Sequence, residues 1–166
     1  YFNLSNTLKE LNKLNEAEST LIQAIALKPE YTTAQHMLAA LTGKTTTVAP
    51  IEYVEGLFDK YAGKFESSLV DSLQYNVPKL ITKIIKKDSK LNLLGSIMDL
   101  GCGTGLFGME IEKFCVYLEG NDISAKMLDK ANKKNVYNKL IKQDIVDYLL
   151  NRKLNFDYFV STDVFV

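Results

Sequence analysis

Hydrophobic and polar positions follow two different patterns along the chain. Up to residue 90, apolar side chains recur at helical spacing over residues 1–41, 51–72 and 79–90. The last of these segments carries five lysines among Ile and Leu, which predicts an amphipathic helix with a solvated face. From residue 96 onward the apolar residues form short runs that stop at glycines or acids, which is typical of buried strands.

The short apolar runs predict four β-strands, at residues 96–100, 116–118, 139–144 and 156–161. The segments between them have helical spacing, as Leu106, Phe107 and Ile111 show after the first strand. Strands that alternate with helices predict an α/β fold with a parallel sheet. In such folds ligands bind beyond the carboxyl ends of the strands, so we expect the functional residues there.

A glycine-rich loop follows the first predicted strand. Residues 97–105 read IMDLGCGTG, so that Asp99 is followed by Gly101, Gly103 and Gly105. Glycine is needed where the backbone takes a positive φ or must approach a ligand closely. A strand, a glycine loop and a helix together present backbone N–H groups to a nucleotide-like ligand. A dinucleotide-binding loop has the spacing G-x-G-x-x-G, which fails here because Leu106 stands where the third glycine belongs.

The spacing that is present, D-x-G-x-G-x-G from Asp99, resembles the first motif of the class I S-adenosylmethionine-dependent methyltransferases. The sequence GNDIS at residues 120–124 is similar to that family after the second strand. The resemblance implies a doubly wound, Rossmann-like sheet ordered 3-2-1-4-5-7-6, of which the chain carries the N-terminal part. It also implies S-adenosylmethionine as the cofactor and methyl transfer to a small-molecule or protein acceptor.

The same resemblance implies a role for each strand end. Asp99 and the loop backbone would hold the methionine portion, and Asp122 would accept hydrogen bonds from the ribose hydroxyls. Asp144 and Ile145, after the third strand, would hold the adenine. The full set of expected cofactor-binding residues is Asp99, Gly101, Cys102, Gly103, Gly105, Asp122, Ile123, Met127, Asp144, Ile145 and Ser161.

The methyl-transfer site is expected at the end of the fourth strand, where Thr162 and Asp163 follow Ser161. A sulfonium is already an activated methyl donor, so alignment and exclusion of water matter more than a protein nucleophile. No Ser-His-Asp constellation is therefore needed, and no catalytic residue is assigned. Ser124 is expected to cap the helix after the second strand.

Three other interpretations remain open. The glycines can form an ordinary turn of an α/β protein, and the acids can be solvated loop residues or helix caps. A nicotinamide-dependent oxidoreductase has a similar strand, loop and ribose acid, although Leu106 and Asp99 argue against it. The chain can also be a repeat-based interaction protein whose cofactor domain is vestigial or incomplete.

The first 42 residues resemble one tetratricopeptide repeat. The matching positions are Tyr1, Leu4, Ser5, Leu8, Ala17, Leu21, Ala24 and Pro29. Small residues would let two antiparallel helices approach, Leu4, Leu8 and Leu21 would fill the space between them, and Pro29 would stop the second helix. Such a unit implies a peptide or protein partner. The alternative is a plain helical hairpin.

A polar segment, residues 43–50, separates this unit from the rest and predicts a linker. We therefore expect a helical unit at 1–42 and a cofactor-binding domain at 51–166. The segment LFDKYAGKFE, at residues 57–66, resembles the methyltransferase helix from which an aromatic residue closes over the cofactor. The family often has Tyr-Asp where this chain has Phe65 and Glu66, which leaves Tyr61 as a substitute for the missing hydroxyl.

Composition narrows the function classes further. Twenty basic and twenty acidic residues give zero formal charge, which provides no general attraction to nucleic acid or an anionic membrane. No apolar stretch approaches the roughly 20 residues of a membrane span. Two cysteines and one histidine, His36, offer neither a disulfide framework nor a metal-ligand spacing, so a reducing cytoplasm is expected. The chain is expected to be incomplete at both ends.

Overall fold

The structure is a computed structural model that describes residues 1–89 and 93–164. The chain divides into two compact units, Tyr1–Val54 and Glu55–Val166. Lys90, in the expected amphipathic helix, and Phe165 and Val166, at the end of the expected domain, lie outside the described residues.

The first unit is built from three helices, α1 (Phe2–Glu10), α2 (Leu14–Leu27) and α3 (Thr32–Leu41). They pack through Leu21, Ala24, Ala34 and Met37, with the small residues Ser5 and Ala17 buried between them as expected. Leu21 is 1% exposed and fills the interior, but Leu4 is 52% exposed. The expectation that Leu4 packs between the helices is therefore wrong, because Phe2 turns inward on the same helix instead.

The second unit begins with α4 (Ile51–Tyr61), whose last seven residues belong to it, followed by a π-helical segment (Ser67–Ser72) and α5 (Val77–Ser89). The continuous helix expected over residues 51–72 is wrong, because the chain turns at residues 62–64. Gly63 lies in that turn, and glycine is a poor residue for continuing a helix. A second turn follows at Gln74, whose φ is +51°. The amphipathic helix expected over residues 79–90 is present in α5 as far as Ser89.

A four-stranded sheet forms the centre of the second unit. Its strands are β1 (Leu94–Leu100), β2 (Cys115–Asp122), β3 (Lys139–Lys142) and β4 (Tyr158–Val160). All pair in parallel in the order β3-β2-β1-β4, which confirms the expected α/β fold and its first four strands. The crossovers contain α6 (Leu106–Ile111), α7 (Ala125–Lys134) and α8 (Ile145–Asn151). Cys115 is the first residue of β2.

Strand β1 is buried on both faces, as is usual for a central parallel strand. On one face Leu94 and Ile97 pack with residues of α6, β2 and β4. On the other, Met98 and Leu100 pack against Tyr148 of α8. This packing holds the carboxyl end of β1, and the glycine loop that follows it, in a fixed position. Among the described residues, we find no helix with the length and apolar character needed to cross a membrane.

Candidate functional site

The glycine loop has the backbone that its sequence predicts. Gly101, Gly103 and Gly105 have φ values of +69°, +55° and +85°, a region that side chains disfavour. A Cβ on Gly101 would lie 2.5 Å from a methyl carbon of Val164. A Cβ on Gly103 would meet only the ring of Phe65, at 3.9 Å, so there is room beside this residue. The loop is thus closely packed at its start and more open at its middle.

Asp122, at the end of β2, supports the loop. Its Oδ2 accepts a hydrogen bond from the backbone N–H of Gly103 at 2.9 Å, and its Oδ1 accepts one from Ser124 at 2.8 Å. Burial raises the pKa of Asp122, and the charge of Asp59 adds to this, whereas the backbone donors oppose it. Each carboxylate oxygen has a second lone pair, so both can accept a further hydrogen bond from a ligand.

Asn121 is a supporting residue that the sequence interpretation missed. It is fully buried, and its Nδ2 donates to the carbonyl of Gln143 at 3.1 Å. Its backbone carbonyl accepts from the N–H of Cys102 at 2.8 Å, and its Oδ1 lies 3.4 Å from the N–H of Gly101. Asn121 therefore connects the end of β2 to the glycine loop and to the segment after β3. The only local signal was an amide placed next to Asp122 in a strand.

Asp99 is a completely buried acid at the end of β1. Its Oδ2 accepts a hydrogen bond from the hydroxyl of Tyr137 at 2.6 Å, while its Oδ1 has no hydrogen-bond partner among the described residues. Burial raises the pKa of Asp99 to about 7, against the effect of Tyr137 and with that of the Asp122 charge. A buried carboxylate oxygen without a donor is suited to a ligand that brings a positively charged N–H group.

Tyr137 accounts for two glycines that lie outside the glycine loop, Gly108 and Gly120. A Cβ on Gly108 would lie 2.5 Å from its ring, and one on Gly120 would lie 2.9 Å from it. Burial and the charge of Asp99 raise the pKa of Tyr137 well above its ordinary value, so its hydroxyl remains a donor. The sequence interpretation missed Tyr137, although glycines in a helix and in a strand suggest that a large side chain packs nearby.

Asp144 and Ile145 lie at the start of α8. Asp144 is the helix cap, and its Oδ1 accepts hydrogen bonds from the N–H groups of Val146 at 2.8 Å and Asp147 at 3.1 Å. A methyl carbon of Ile145 lies 3.4 Å from the position that a Cβ on Gly101 would take. Ile145 therefore packs beside the glycine loop, at the start of the helix that Asp144 caps.

The remaining expected site residues differ in their surroundings. Ser161 donates to the carbonyl of Leu100 at 3.2 Å, at the end of β4. Cys102 is buried within the loop, and burial raises its pKa well above the ordinary value. Ile123 is half-buried next to Asp122, whereas Met127 is only 1% exposed. The backbone N–H of Met127 donates to Ser124 Oγ at 3.1 Å, which confirms Ser124 as the cap of α7.

Helix α4 and the turn after it contribute further contacts within the second unit. Asp59, which the sequence interpretation missed, accepts hydrogen bonds from Ser124 Oγ at 2.6 Å and from the N–H of Lys126 at 3.2 Å. The first of these lowers the pKa of Asp59. Phe65 lies against Tyr61, with their ring centroids 5.6 Å apart, and approaches the glycine loop. Phe65 is therefore the aromatic side chain of this segment that lies near the glycine loop.

The site as a whole is an acidic edge lined by backbone N–H groups. In strand order, its acids are Asp144 after β3, Asp122 in β2, Asp99 in β1 and Asp163 after β4. This arrangement can bind a ligand that has hydroxyl groups and a positive charge. The described residues contain no group of three or more His, Cys, Asp or Glu side chains that could hold a metal ion.

Comparison with known proteins gives one family match and several similar folds. Residues 97–166 match the family model described as Methyltransferase domain. A comparison with curated protein sequences found no match. The fold is similar to that of magnesium protoporphyrin IX methyltransferase (ChlM) from Synechocystis PCC 6803 with bound SAM, at 18% identity and a TM-score of 0.58, over 72% of this chain and 65% of that one.

Two further solved structures have a similar fold. One is the DhpI–SAH complex, with 19% identity and a TM-score of 0.55, over 67% of this chain and 52% of that one. The other is a putative S-adenosylmethionine-dependent methyltransferase from Methanococcus maripaludis, with 19% identity and a TM-score of 0.51, over 64% and 51%. The chain thus spans between about half and two thirds of the length of these proteins.

Residues 97–166 therefore match a methyltransferase domain, and the fold is similar to that of solved S-adenosylmethionine-dependent methyltransferases. The predicted enzyme class agrees with the family match over these residues. The predicted cofactor agrees with the SAM and SAH bound in two of the similar structures. The three-helix arrangement of the first unit confirms helices where they were expected, while its identity as a tetratricopeptide repeat stays a prediction.

Proposed function

We propose that this protein transfers a methyl group from S-adenosylmethionine to a small-molecule or protein acceptor. The observation that carries the proposal is the meeting of the glycine loop, Asp122 and Asp99 at one edge of the sheet, within the segment that matches the family model. These groups lie within one continuous site although they come from different strands.

The residues present fit the cofactor. The unpartnered Oδ1 of buried Asp99 suits the positively charged α-amino group of the methionine portion. Gly103 has room for a ligand beside it, and Asp122 next to it has lone pairs for two ribose hydroxyls. Asp144 and Ile145 supply an acceptor and an apolar contact for adenine. Gly101, Gly105, Cys102, Ile123, Met127 and Ser161 complete the proposed cofactor-binding set.

The chemistry follows from binding and orientation. When bound, S-adenosylmethionine supplies a methyl group already activated by a sulfonium sulfur. Asp99, Asp122 and the loop backbone would hold the ligand at three points and so limit its orientation. The ring of Phe65, 3.9 Å from the position of a Cβ on Gly103, would help to exclude water from a ligand bound there. Methyl transfer at this site would depend on alignment of the reactants and exclusion of water, and it would need no protein nucleophile.

The domain division and partners are part of the proposal. The helical unit at residues 1–42 would act as a tetratricopeptide-type module that binds a peptide or protein, the segment 43–50 would link it, and residues 51–166 would bind the cofactor. What supports the first of these is the packing of small residues between α1 and α2. Balanced charge and unpaired cysteines support a cytoplasmic setting without nucleic-acid partners.

Calorimetric titration of the 166-residue chain tests the proposal. We expect saturable binding of S-adenosylhomocysteine and none of NADH at the same concentrations. Saturable binding of NADH alone would instead establish the oxidoreductase alternative. Transfer of a radiolabelled methyl group from S-adenosylmethionine to a component of a cell extract would then separate an active enzyme from a vestigial cofactor domain.

A further inference from the structure

Helix α5 has an inner face that packs on the sheet. Pro78 and Thr82 are buried, and Ile81 and Ile85 pack against the core on that side of the sheet. These four positions have the spacing i, i+3, i+4 and i+7, which places them on one face of a helix. Because a helix has about 3.6 residues per turn, the positions two residues further along the chain lie on its opposite face.

This opposite, outer face of α5 combines aliphatic and basic side chains. Its central positions, with the same spacing, are Leu80, Lys83, Ile84 and Lys87, and all four are exposed, Leu80 at 48% and Ile84 at 60%. Residues four apart are neighbours on a helix surface, so Leu80 and Ile84 form an apolar pair with Lys83 and Lys87 beside them. Lys79, one turn before Lys83, is also exposed. The outer face therefore presents two aliphatic side chains next to three ammonium groups.

The positive charge of the outer face is not neutralised by nearby acids. Helix α5 contains four lysines and one acid. None of the ion pairs among the described residues includes Lys79, Lys83 or Lys87. Lys134 of α7, by contrast, pairs with Glu66 at 2.7 Å. A chain whose formal net charge is zero therefore has a locally basic surface on α5.

The make-up of the outer face favours a lipid surface over a folded partner. A specific protein interface buries at least about 1,000 Å² with complementary shape, and two half-exposed aliphatic side chains on a convex helix supply little of either. An anionic bilayer requires no complementary shape, and each lysine near its headgroups strengthens binding by about fivefold. Long lysine side chains can keep their ammonium groups among the headgroups while neighbouring aliphatic side chains enter the acyl boundary.

We propose that the outer face of α5 binds the surface of an anionic membrane. Leu80 and Ile84 enter the interface, and Lys79, Lys83 and Lys87 contact the negatively charged headgroups. The helix lies flat on the membrane because its inner face stays packed on the sheet, so the attachment is peripheral and reversible. This inference is independent of the proposed function, because it concerns where the second unit is located and not which reaction it carries out.

Vesicle flotation of the 166-residue chain tests the proposal. We expect vesicles of phosphatidylcholine mixed with phosphatidylserine to bind the protein, vesicles of phosphatidylcholine alone to leave it in solution, and binding to fall as sodium chloride is added. Lys83→Gln combined with Lys87→Gln should weaken binding to the mixed vesicles by about 25-fold, since each lysine contributes about fivefold. Leu80→Gln combined with Ile84→Gln leaves the charge unchanged and should weaken it by about tenfold or more.

A matched variant on another helix controls for the loss of charge. Lys126→Gln combined with Lys133→Gln removes two exposed lysines of α7 and should leave vesicle binding nearly unchanged. Glutamine is a good helix former and every substituted position is exposed, so we expect all three double variants to fold, which circular dichroism checks. Lys86 is left in place because its Nζ lies 3.4 Å from the centroid of the Phe114 ring. Each α5 variant tests the proposal by itself.

Several results would overturn the proposal. Equal binding to both kinds of vesicle, binding to neither, or full binding by either α5 variant would each do so. An equal loss in the α7 variant would show that overall charge governs binding, and not the outer face of α5. Tighter binding of poly-glutamate or duplex DNA than of the mixed vesicles at the same salt concentration, lost in the Lys83 and Lys87 variant, would show that this face takes a protein or nucleic-acid partner instead.

Discussion

At the scale of single residues, Asp99 combines two properties that are costly to keep together. It is an acid with no exposed surface, and one of its oxygens has no donor among the described residues. The hydroxyl of Tyr137 relieves only part of this cost, since burial still raises the pKa of Asp99 to about 7. A group held in this state is typical of a ligand-binding site.

This pKa makes stability depend on pH. Below the ordinary value of 3.8, Asp99 is protonated in both the folded and the unfolded chain. Between 3.8 and about 7 the unfolded chain loses the proton while the folded chain keeps it, so the free energy of unfolding falls as pH rises. We expect Asp99→Asn to remove this fall. Urea denaturation from pH 4 to pH 8, with Asp129→Asn as the control, measures it; identical profiles for all three proteins would contradict the raised pKa.

A second prediction concerns Asp122. Asp122→Ala should weaken binding of S-adenosylhomocysteine by about 1.5–3 kcal/mol, because a hydrogen bond to a charged group is lost and the loop at Gly103 is released. Calorimetry on the unmodified chain and on Asp129→Ala, an exposed acid of α7, provides the comparison. An unchanged dissociation constant in Asp122→Ala would remove this residue from the site.

At the scale of elements, glycines in helices serve different purposes. Gly108 in α6 lies under Tyr137, where a Cβ would come within 2.5 Å of the ring, whereas nothing lies within 4 Å of a Cβ on Gly56 in α4. We expect Gly108→Ala to destabilise the protein by about 1–3 kcal/mol through overpacking. Gly56→Ala should instead stabilise it by about 0.5–1 kcal/mol. Equal effects of the two substitutions in thermal denaturation would show that Tyr137 does not pack against α6.

The start of α7 depends on Ser124. This side chain accepts from the N–H of Met127 at 3.1 Å and donates to Asp59 of α4 at 2.6 Å. Ser124→Ala should destabilise the protein by about 1–2 kcal/mol, the usual cost of a lost cap. Ser19→Ala, at an exposed serine in the interior of α2, is the comparison in chemical denaturation. A free energy of unfolding that Ser124→Ala leaves unchanged would contradict the role of the cap.

At the scale of the whole molecule, every residue of the proposed cofactor site lies in the unit Glu55–Val166. Leu21, by contrast, is a core residue of the first unit. Leu21→Ala should therefore destabilise that unit by about 2–5 kcal/mol and leave the affinity for S-adenosylhomocysteine unchanged. Calorimetry at a temperature where the variant remains folded checks this. A fall in affinity as large as that of Asp122→Ala would show that the first unit contributes to the site.

Local sequence patterns determined most of the second unit. The alternation of apolar runs, glycines and acids predicted β1 to β4, the loop and the acids at the strand ends, because each of these features depends on neighbouring residues. The same patterns failed where a helix was interrupted at residues 62–64 and where Leu4 was expected to be buried. In both cases the apolar residues keep their helical spacing. The backbone nevertheless leaves the helix at residues 62–64, and Leu4 is nevertheless exposed.

Only the tertiary structure decided which distant residues complete the site. Tyr137 lies 38 positions from Asp99, and Asp59 lies 65 positions from Ser124, so neither pair leaves a periodic signal in the sequence. A hydrogen bond between residues far apart in sequence forms because the packing of the sheet and its helices brings them together. The sequence by itself specified the strand ends and their acids, and the fold selected their partners.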